Sequence, residues 1–228
     1  MDRSIDQLAS YIWLSRLVTE TGIGVPRMRR VMAAFESVEA LYEASPDVIA
    51  EHASAPPECI LRIKRFVRDA KQKEEAVQAA EKGTIQGIGC LTDTDPLFPA
   101  RLKEIGSCPF LLFYQGDIEK VLTKAEFVVT IVGSRSPTGY GRTATREIAA
   151  EIAQAGVTVV SGMARGIDSI AHRAALEAGG LTAAVLGGGI DHIYPPEHGE
   201  SVVLMSLVVF LINARNAFIA ALFRHFTF

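Results

Sequence analysis

The chain has 228 residues, 49% of them hydrophobic and 21% charged, an ordinary balance for a soluble globular protein with room for one large domain or two small ones. Its formal net charge is −3, from 23 Lys and Arg against 26 Asp and Glu, which excludes a surface coated in basic patches, so any contact with nucleic acid has to be local. The three cysteines, Cys59, Cys90 and Cys108, show no CxxC or His/Cys ligand spacing and read as reduced thiols of a cytoplasmic protein without a metal site.

The start, Met1-Asp2-Arg3-Ser4-Ile5-Asp6, has no basic stretch running into an apolar one, so no secretory signal is expected. Residues 1–82 read as a helical domain. Leu8, Ile12, Leu14, Leu17 and Val18 form one apolar stripe, and Val31, Ala34 and Phe35 form another. The turn Thr21-Gly22-Ile23-Gly24-Val25-Pro26 separates them and suits a helix–hairpin–helix, whose amides, with Arg27, Arg29 and Arg30 nearby, can hold a DNA phosphate. A plain tight turn with solvated arginines accounts for it equally well. Ser45-Pro46 and Ala55-Pro56-Pro57 break the pattern, and the stretch from Ile60 to Lys82 predicts a long helix stopped by Gly83.

Residues 83–124 form a connecting region with short strands expected at Thr84 to Leu91 and Phe110 to Tyr114, and a short helix at Ala100 to Ile105. From residue 125 to 200 the pattern becomes β–α–β–α–β. Strands are expected at Phe127 to Val132, Val157 to Val160 and Thr182 to Leu186, with helices at Gly141 to Ala155 and Gly166 to Ala178. Continuous apolar strands alternating with helices predict an α/β, Rossmann-like parallel sheet.

Three glycine-rich loops follow those strands, about 25 residues apart. The first runs Gly133-Ser134-Arg135-Ser136-Pro137-Thr138-Gly139-Tyr140-Gly141, the second Ser161-Gly162-Met163-Ala164-Arg165-Gly166-Ile167-Asp168, and the third Gly187-Gly188-Gly189-Ile190-Asp191. In a parallel sheet such loops meet at the carboxyl edge, where amides and helix N-termini collect anions. Gly133 turns the chain off its strand, Ser134 and Ser136 add hydroxyls, and Arg135 brings a guanidinium suited to phosphate. Gly139 and Gly141 let backbone approach a ligand, and Tyr140 offers a ring for base stacking. Ser161, Gly162, Arg165 and Gly166 repeat the recipe, so two loops are expected to grip successive phosphates of one strand. Asp168 and His172 share a helix face, and a structural role is expected for both, with Asp168 accepting from loop amides.

No catalytic set accompanies the loops. The first is not GxGxxG, GxxxxGK[ST] is missing, and no zinc ligands, Ser–His–Asp order or close carboxylate pair presents itself. The expectation is a binding protein, not an enzyme, with no cofactor. Residues 201–228 are an apolar tail interrupted at Asn213-Ala214-Arg215-Asn216. A buried strand, turn and helix is expected there, or a segment foreign to the fold, in preference to a membrane anchor, because Arg215 would sit near the bilayer core at a cost of about 2.5–3.5 kcal/mol.

The motifs Ile131-Val132-Gly133-Ser134-Arg135 with Tyr140-Gly141, Ser161-Gly162-Met163-Ala164-Arg165-Gly166-Ile167-Asp168 with Ala171-His172, and Gly187-Gly188-Gly189-Ile190-Asp191 with Tyr194-Pro195 resemble the DNA-processing protein A (DprA/Smf) family. Asp95-Pro96-Leu97-Phe98-Pro99, upstream, resembles its linker. The resemblance covers roughly residues 8 to 198. It implies a SAM-like or helix–hairpin–helix domain before a Rossmann-like domain, single-stranded DNA binding, loading of the RecA recombinase during natural transformation, and a homodimer. After His198 the text departs from the family. Arg215-Asn216 faintly echoes its Phe-Pro-x-Arg-Asn-Arg-type segment, as in a frameshifted, deleted or truncated copy. Two other readings stay open: an enzyme on a mononucleotide of the nucleotide phosphoribohydrolase type, and a protein-interaction scaffold using the N-terminal helices. For the DNA-binding reading, Arg135→Ala is expected to weaken binding more than a change at a surface arginine such as Arg146.

Overall fold

The computed structural model of the chain describes residues 4–104, 108–109, 111–124, 127–186, 207–211 and 224–227. These divide into two compact units: residues 1–93 with 106–111, and residues 94–105 with 112–228.

The first unit is helical: α1 (Ile5–Thr21), α2 (Val25–Met32), α3 (Val38–Glu43), α4 (Pro46–Ala53), α5 (Pro57–Arg68) and α6 (Ala70–Ile85), followed by strand β1 (Ile88–Thr92). A capping box opens α1: Gln7 N–H donates to Ser4 Oγ at 3.2 Å, and Ser4 N–H donates to Gln7 Oε1 at 3.1 Å. The apolar stripe of α1 carries Trp13, which is fully buried and packs edge-on to Tyr42 at 5.3 Å and against Phe66 at 5.8 Å. The helix expected from Ile60 to Lys82 is two helices. Asp69 divides them, its carboxylate accepting from Lys71 N–H at 3.1 Å as the N-cap of α6. Gly83 lies inside α6, and the left-handed residue beyond its end is Gly87, at φ 69°.

The second unit contains α7 (Ala100–Lys103), β2 (Leu111–Gly116), α8 (Ile118–Lys124), β3 (Val128–Val132), α9 (Gly139–Gln154), β4 (Thr158–Ser161), α10 (Ile167–Glu177), β5 (Thr182–Leu186), β6 (Leu207–Leu211) and β7 (Arg224–Thr227). Six strands follow in the order β2-β6-β5-β4-β3-β7. Neighbours are parallel except β2 and β6, with Val129 opposite Val159, Val160 opposite Ala183, and Ala184 opposite Val208. Every residue of β4 and β5 is buried, as continuous apolar strands in a covered parallel sheet require. Helices α9 and α10 pack on each other and on the sheet through Ile131, Ala149, Ala153, Val159, Ala171 and Ala175. This is the α/β, Rossmann-like fold expected.

Two pieces of the apolar tail, β6 and β7, enter this sheet on either side of the β5-β4-β3 core. The helix expected after Asn216, like the third glycine-rich loop and Tyr194-Pro195, lies outside the described residues. Chain order reverses at β3, whose neighbours are β4 and β7. At such a switch point the loops leaving the carboxyl ends of the strands frame a crevice. The first glycine-rich loop leaves the sheet there.

Candidate nucleic-acid interface

The first two loops are fastened together. Ile167 N–H donates to Ser134 O at 3.1 Å, joining the start of α10 to the loop after β3. Gly166 sits in the seam at φ 86°, and a Cβ there would lie 2.3 Å from Ser134 O and 2.7 Å from Arg135 O. Only glycine fits both the space and the backbone conformation.

Asp168 completes the junction from below. Its carboxylate, buried, accepts from Gly162 N–H at 3.2 Å and Ala164 N–H at 3.3 Å. Burial pushes its pKa above the ordinary aspartate range, opposed by the amides of Ala164, Gly162 and Gly133. The Gly162 and Ala164 amides therefore already have an internal acceptor. His172, on the same helix, meets Thr182 Oγ1 through Nδ1 at 2.7 Å in the buried layer.

These bonds sort the residues named from the sequence. Ser161 is fully buried and donates to Ile131 O at 2.6 Å, and the Gly162 amide is taken by Asp168, so the hydrogen-bonding groups of both are directed inward. Gly133 is half-buried, beside the same carboxylate. Ser134 and Ser136 are exposed and form a tight turn in which Ser136 N–H donates to Ser134 Oγ at 3.1 Å. Thr138 caps α9, accepting from Gly141 N–H at 3.1 Å. That leaves the amides of Gly139 and Tyr140, in the first turn, without an intrahelical acceptor. Neither Gly139 nor Gly141 has positive φ, and a Cβ at Gly139 would meet nothing within 4 Å, so internal packing does not account for that glycine. Between them Tyr140 is 84% exposed.

Arg135 and Arg165 line one pocket of about 370 Å³. Three further arginines reach it: Arg142 and Arg146 from the first turns of α9, and Arg173 from α10. All five are exposed, and the pocket's single carboxylate is Glu177. Among the described residues, Arg135, Arg142, Arg146 and Arg173 form no ion pair, whereas the first unit pairs Arg16 with Glu20 and Glu75, and Lys73 with Glu43. Guanidinium groups stay charged at every relevant pH, so the pocket is a concentrated cationic site in a chain of net negative charge.

The sequence missed Arg142, Arg146 and Arg173, and Arg146 cannot serve as an uninvolved surface control. The signal was present as the i,i+4 pair Arg142 and Arg146 on a helix following the first loop, but the third arginine joins them only once α10 packs beside α9.

In the first unit, Gly22 at φ 68° and Gly24 at φ 77° bracket a turn whose Ile23 is buried. Arg29 there is ion-paired with Asp93 and donates to Cys108 O at 3.1 Å, while Arg27 and Arg30 are exposed. The three cysteines are buried and form no disulfide. Among the described residues no cluster of His, Cys, Asp or Glu fits a metal ion, and no helix is long and apolar enough to cross a membrane.

The family model described as DNA recombination-mediator protein A matches residues 89–224, more than half of the chain. Protein Smf of Synechocystis is 34% identical over 180 residues, covering 78% of this chain and 44% of that protein. DNA processing protein DprA of Bacillus subtilis is 40% identical over 113 residues, covering 50% of this chain and 37% of that protein. The chain thus spans less than half the length of these curated relatives. The X-ray structure of DNA processing protein A from Streptococcus pneumoniae shares the fold, with a TM-score of 0.69 at 24% identity over 100% of this chain and 78% of that one. On the match of its family model, this chain belongs to the DNA recombination-mediator protein A family.

Proposed function

We propose that this chain binds single-stranded DNA in the arginine-lined pocket of its second unit, protects it, and passes it to the RecA recombinase during DNA uptake, as a homodimer. The observation that carries the DNA-binding part is the convergence of Arg135, Arg142, Arg146, Arg165 and Arg173 on one pocket, lined by the loops that leave β3 and β4 and by the helices that follow them. Exposed Tyr140, in the first turn of α9, gives a base a ring to stack on, a contact that every base can make and that reads no sequence. Gly139 and the N-terminus of α9 admit a phosphate close to backbone. No nucleophile or metal set joins this group among the described residues, so the reading is a binder. The RecA step and the dimer rest on family membership.

The test is competition for a labelled oligo(dT) by unlabelled oligo(dT), duplex DNA and a nucleoside monophosphate. The expected order is oligo(dT) first, with the monophosphate ineffective at millimolar concentration. Displacement by the monophosphate at low concentration would favour a nucleotide-processing enzyme. For the RecA step, nucleation of RecA on a single-stranded substrate is expected to start sooner with the protein present, and an unchanged lag would remove that part of the proposal.

A further inference from the structure

The pocket is lined in two tiers. Arg135, Arg165 and Gly166 belong to the loops at the carboxyl edge of the sheet, whereas Arg146 and Arg173 stand on the flank of the packed helices α9 and α10. Both helices start at that same edge, because each follows a parallel strand. A groove between them therefore leads away from the loops along the helix layer. Four residues advance a helix by about 6 Å, so Arg142 to Arg146, and Ser169 to Arg173, each carry the positive lining one turn further from the edge.

Charge is sorted around α9. Glu147 and Glu151 lie about 100–180° around the helix axis from Arg142 and Arg146, at ~100° per residue, and neither lines the pocket. On α10 the row Ser169, Arg173, Glu177 shares one face, and the acid comes last. The lining thus runs from arginine at the sheet edge to a carboxylate at the far end. A compact phosphate held by the loops alone has no use for cations a turn or more away.

Resting on the DNA-binding reading above, we infer that the single strand does not stop at the loops but leaves the sheet edge along the α9–α10 groove, where Arg146 and Arg173 hold further phosphates and Glu177 ends the track. The loops supply a short-range grip. The groove sets the length of the footprint and the direction in which the strand departs. Sequence independence follows, since the groove offers guanidinium groups for phosphates and no fixed acceptor set for base edges.

The test is binding of the full chain to a short oligo(dT) of about 4 nucleotides and a long one of about 16. The Arg146→Ala/Arg173→Ala double variant is expected to lose no more than about twofold in affinity for the short oligonucleotide, which the loop arginines grip. For the long one it should lose about fivefold to tenfold in affinity at low salt, with the slope of log K against log salt falling by about 0.7 per arginine. Glu177→Gln should tighten only the long complex. Because both arginines are exposed, the fold should survive, and Arg146→Lys/Arg173→Lys should restore most long-oligonucleotide affinity if charge is what matters. Equal losses on both lengths, or none on either, would overturn the groove track. Arg135→Ala/Arg165→Ala separates the two claims: unchanged binding at both lengths in that variant defeats the DNA-site reading itself, while a loss at both lengths, with no length dependence in the groove variant, defeats the track alone.

Discussion

Gly166 and Asp168 do for this site what no arginine can: they fix where the two loops meet. A Cβ at Gly166 would overlap Ser134 O and Arg135 O, both backbone atoms that cannot swing aside, and would strain a backbone at φ 86°. Gly166→Ala is therefore expected to cost about 3 kcal/mol or more, read as a fall in denaturant midpoint at unchanged slope. Asp168 predicts a pH signature. Burial raises its folded-state pKa above the ordinary 3.8, so the native state takes up its proton before the unfolded state does. The stability this contributes is fully present below pH 3.8 and is lost as pH rises through the native pKa. Parent stability relative to Asp168→Asn should accordingly rise as pH falls through that window. Exposed Asp47 and Glu75, whose pKa values are lowered by Lys64 and by Arg16, work in the opposite direction but are common to both proteins and cancel. A difference independent of pH would show that Asp168 does not titrate as its burial implies.

At the level of elements, β3, α9, β4, α10 and β5 were legible because each strand is a short apolar run ending at a glycine or serine and each helix opens at a cap or glycine. Only their ends shifted, by one or two residues. The split at Asp69 was less visible, since a charged stretch at helical spacing hides one aspartate acting as a cap. Gly83 misled for a related reason: glycine marks a helix end only where φ is positive, and here that residue is Gly87. The site was half legible. Arg135, Arg165, Gly139 and Tyr140 were readable as an exposed loop set. That Ser161 and the Gly162 amide turn inward depends on Asp168 and the β3 backbone reaching them from other elements. The cap on α9 tests whether element stability feeds the site. Thr138→Ala removes the acceptor for Gly141 N–H and should cost about 1 kcal/mol by chemical denaturation. It should weaken oligo(dT) binding only modestly, because Arg135 and Arg165 do not depend on that bond.

Taken as a whole, the molecule carries net charge −3 and still gathers five arginines in one pocket. Elsewhere the acids oppose a polyanion, so long-range attraction is weak and binding depends on short-range pairing that salt screens within about 8–10 Å. Affinity for single-stranded DNA should therefore be local in origin, steep in salt, and sensitive to single pocket arginines while indifferent to arginines committed elsewhere. Arg16, ion-paired in the first unit with Glu20 and Glu75, is such a residue and a better control than Arg146. The decisive measurement is the salt dependence of oligo(dT) affinity, by fluorescence anisotropy, for the parent, Arg135→Ala/Arg165→Ala and Arg16→Ala. The account predicts that the double variant loses affinity and about 1.4 from the slope of log K against log salt, with Arg16→Ala matching the parent. Parallel salt lines of equal affinity for all three proteins would contradict it.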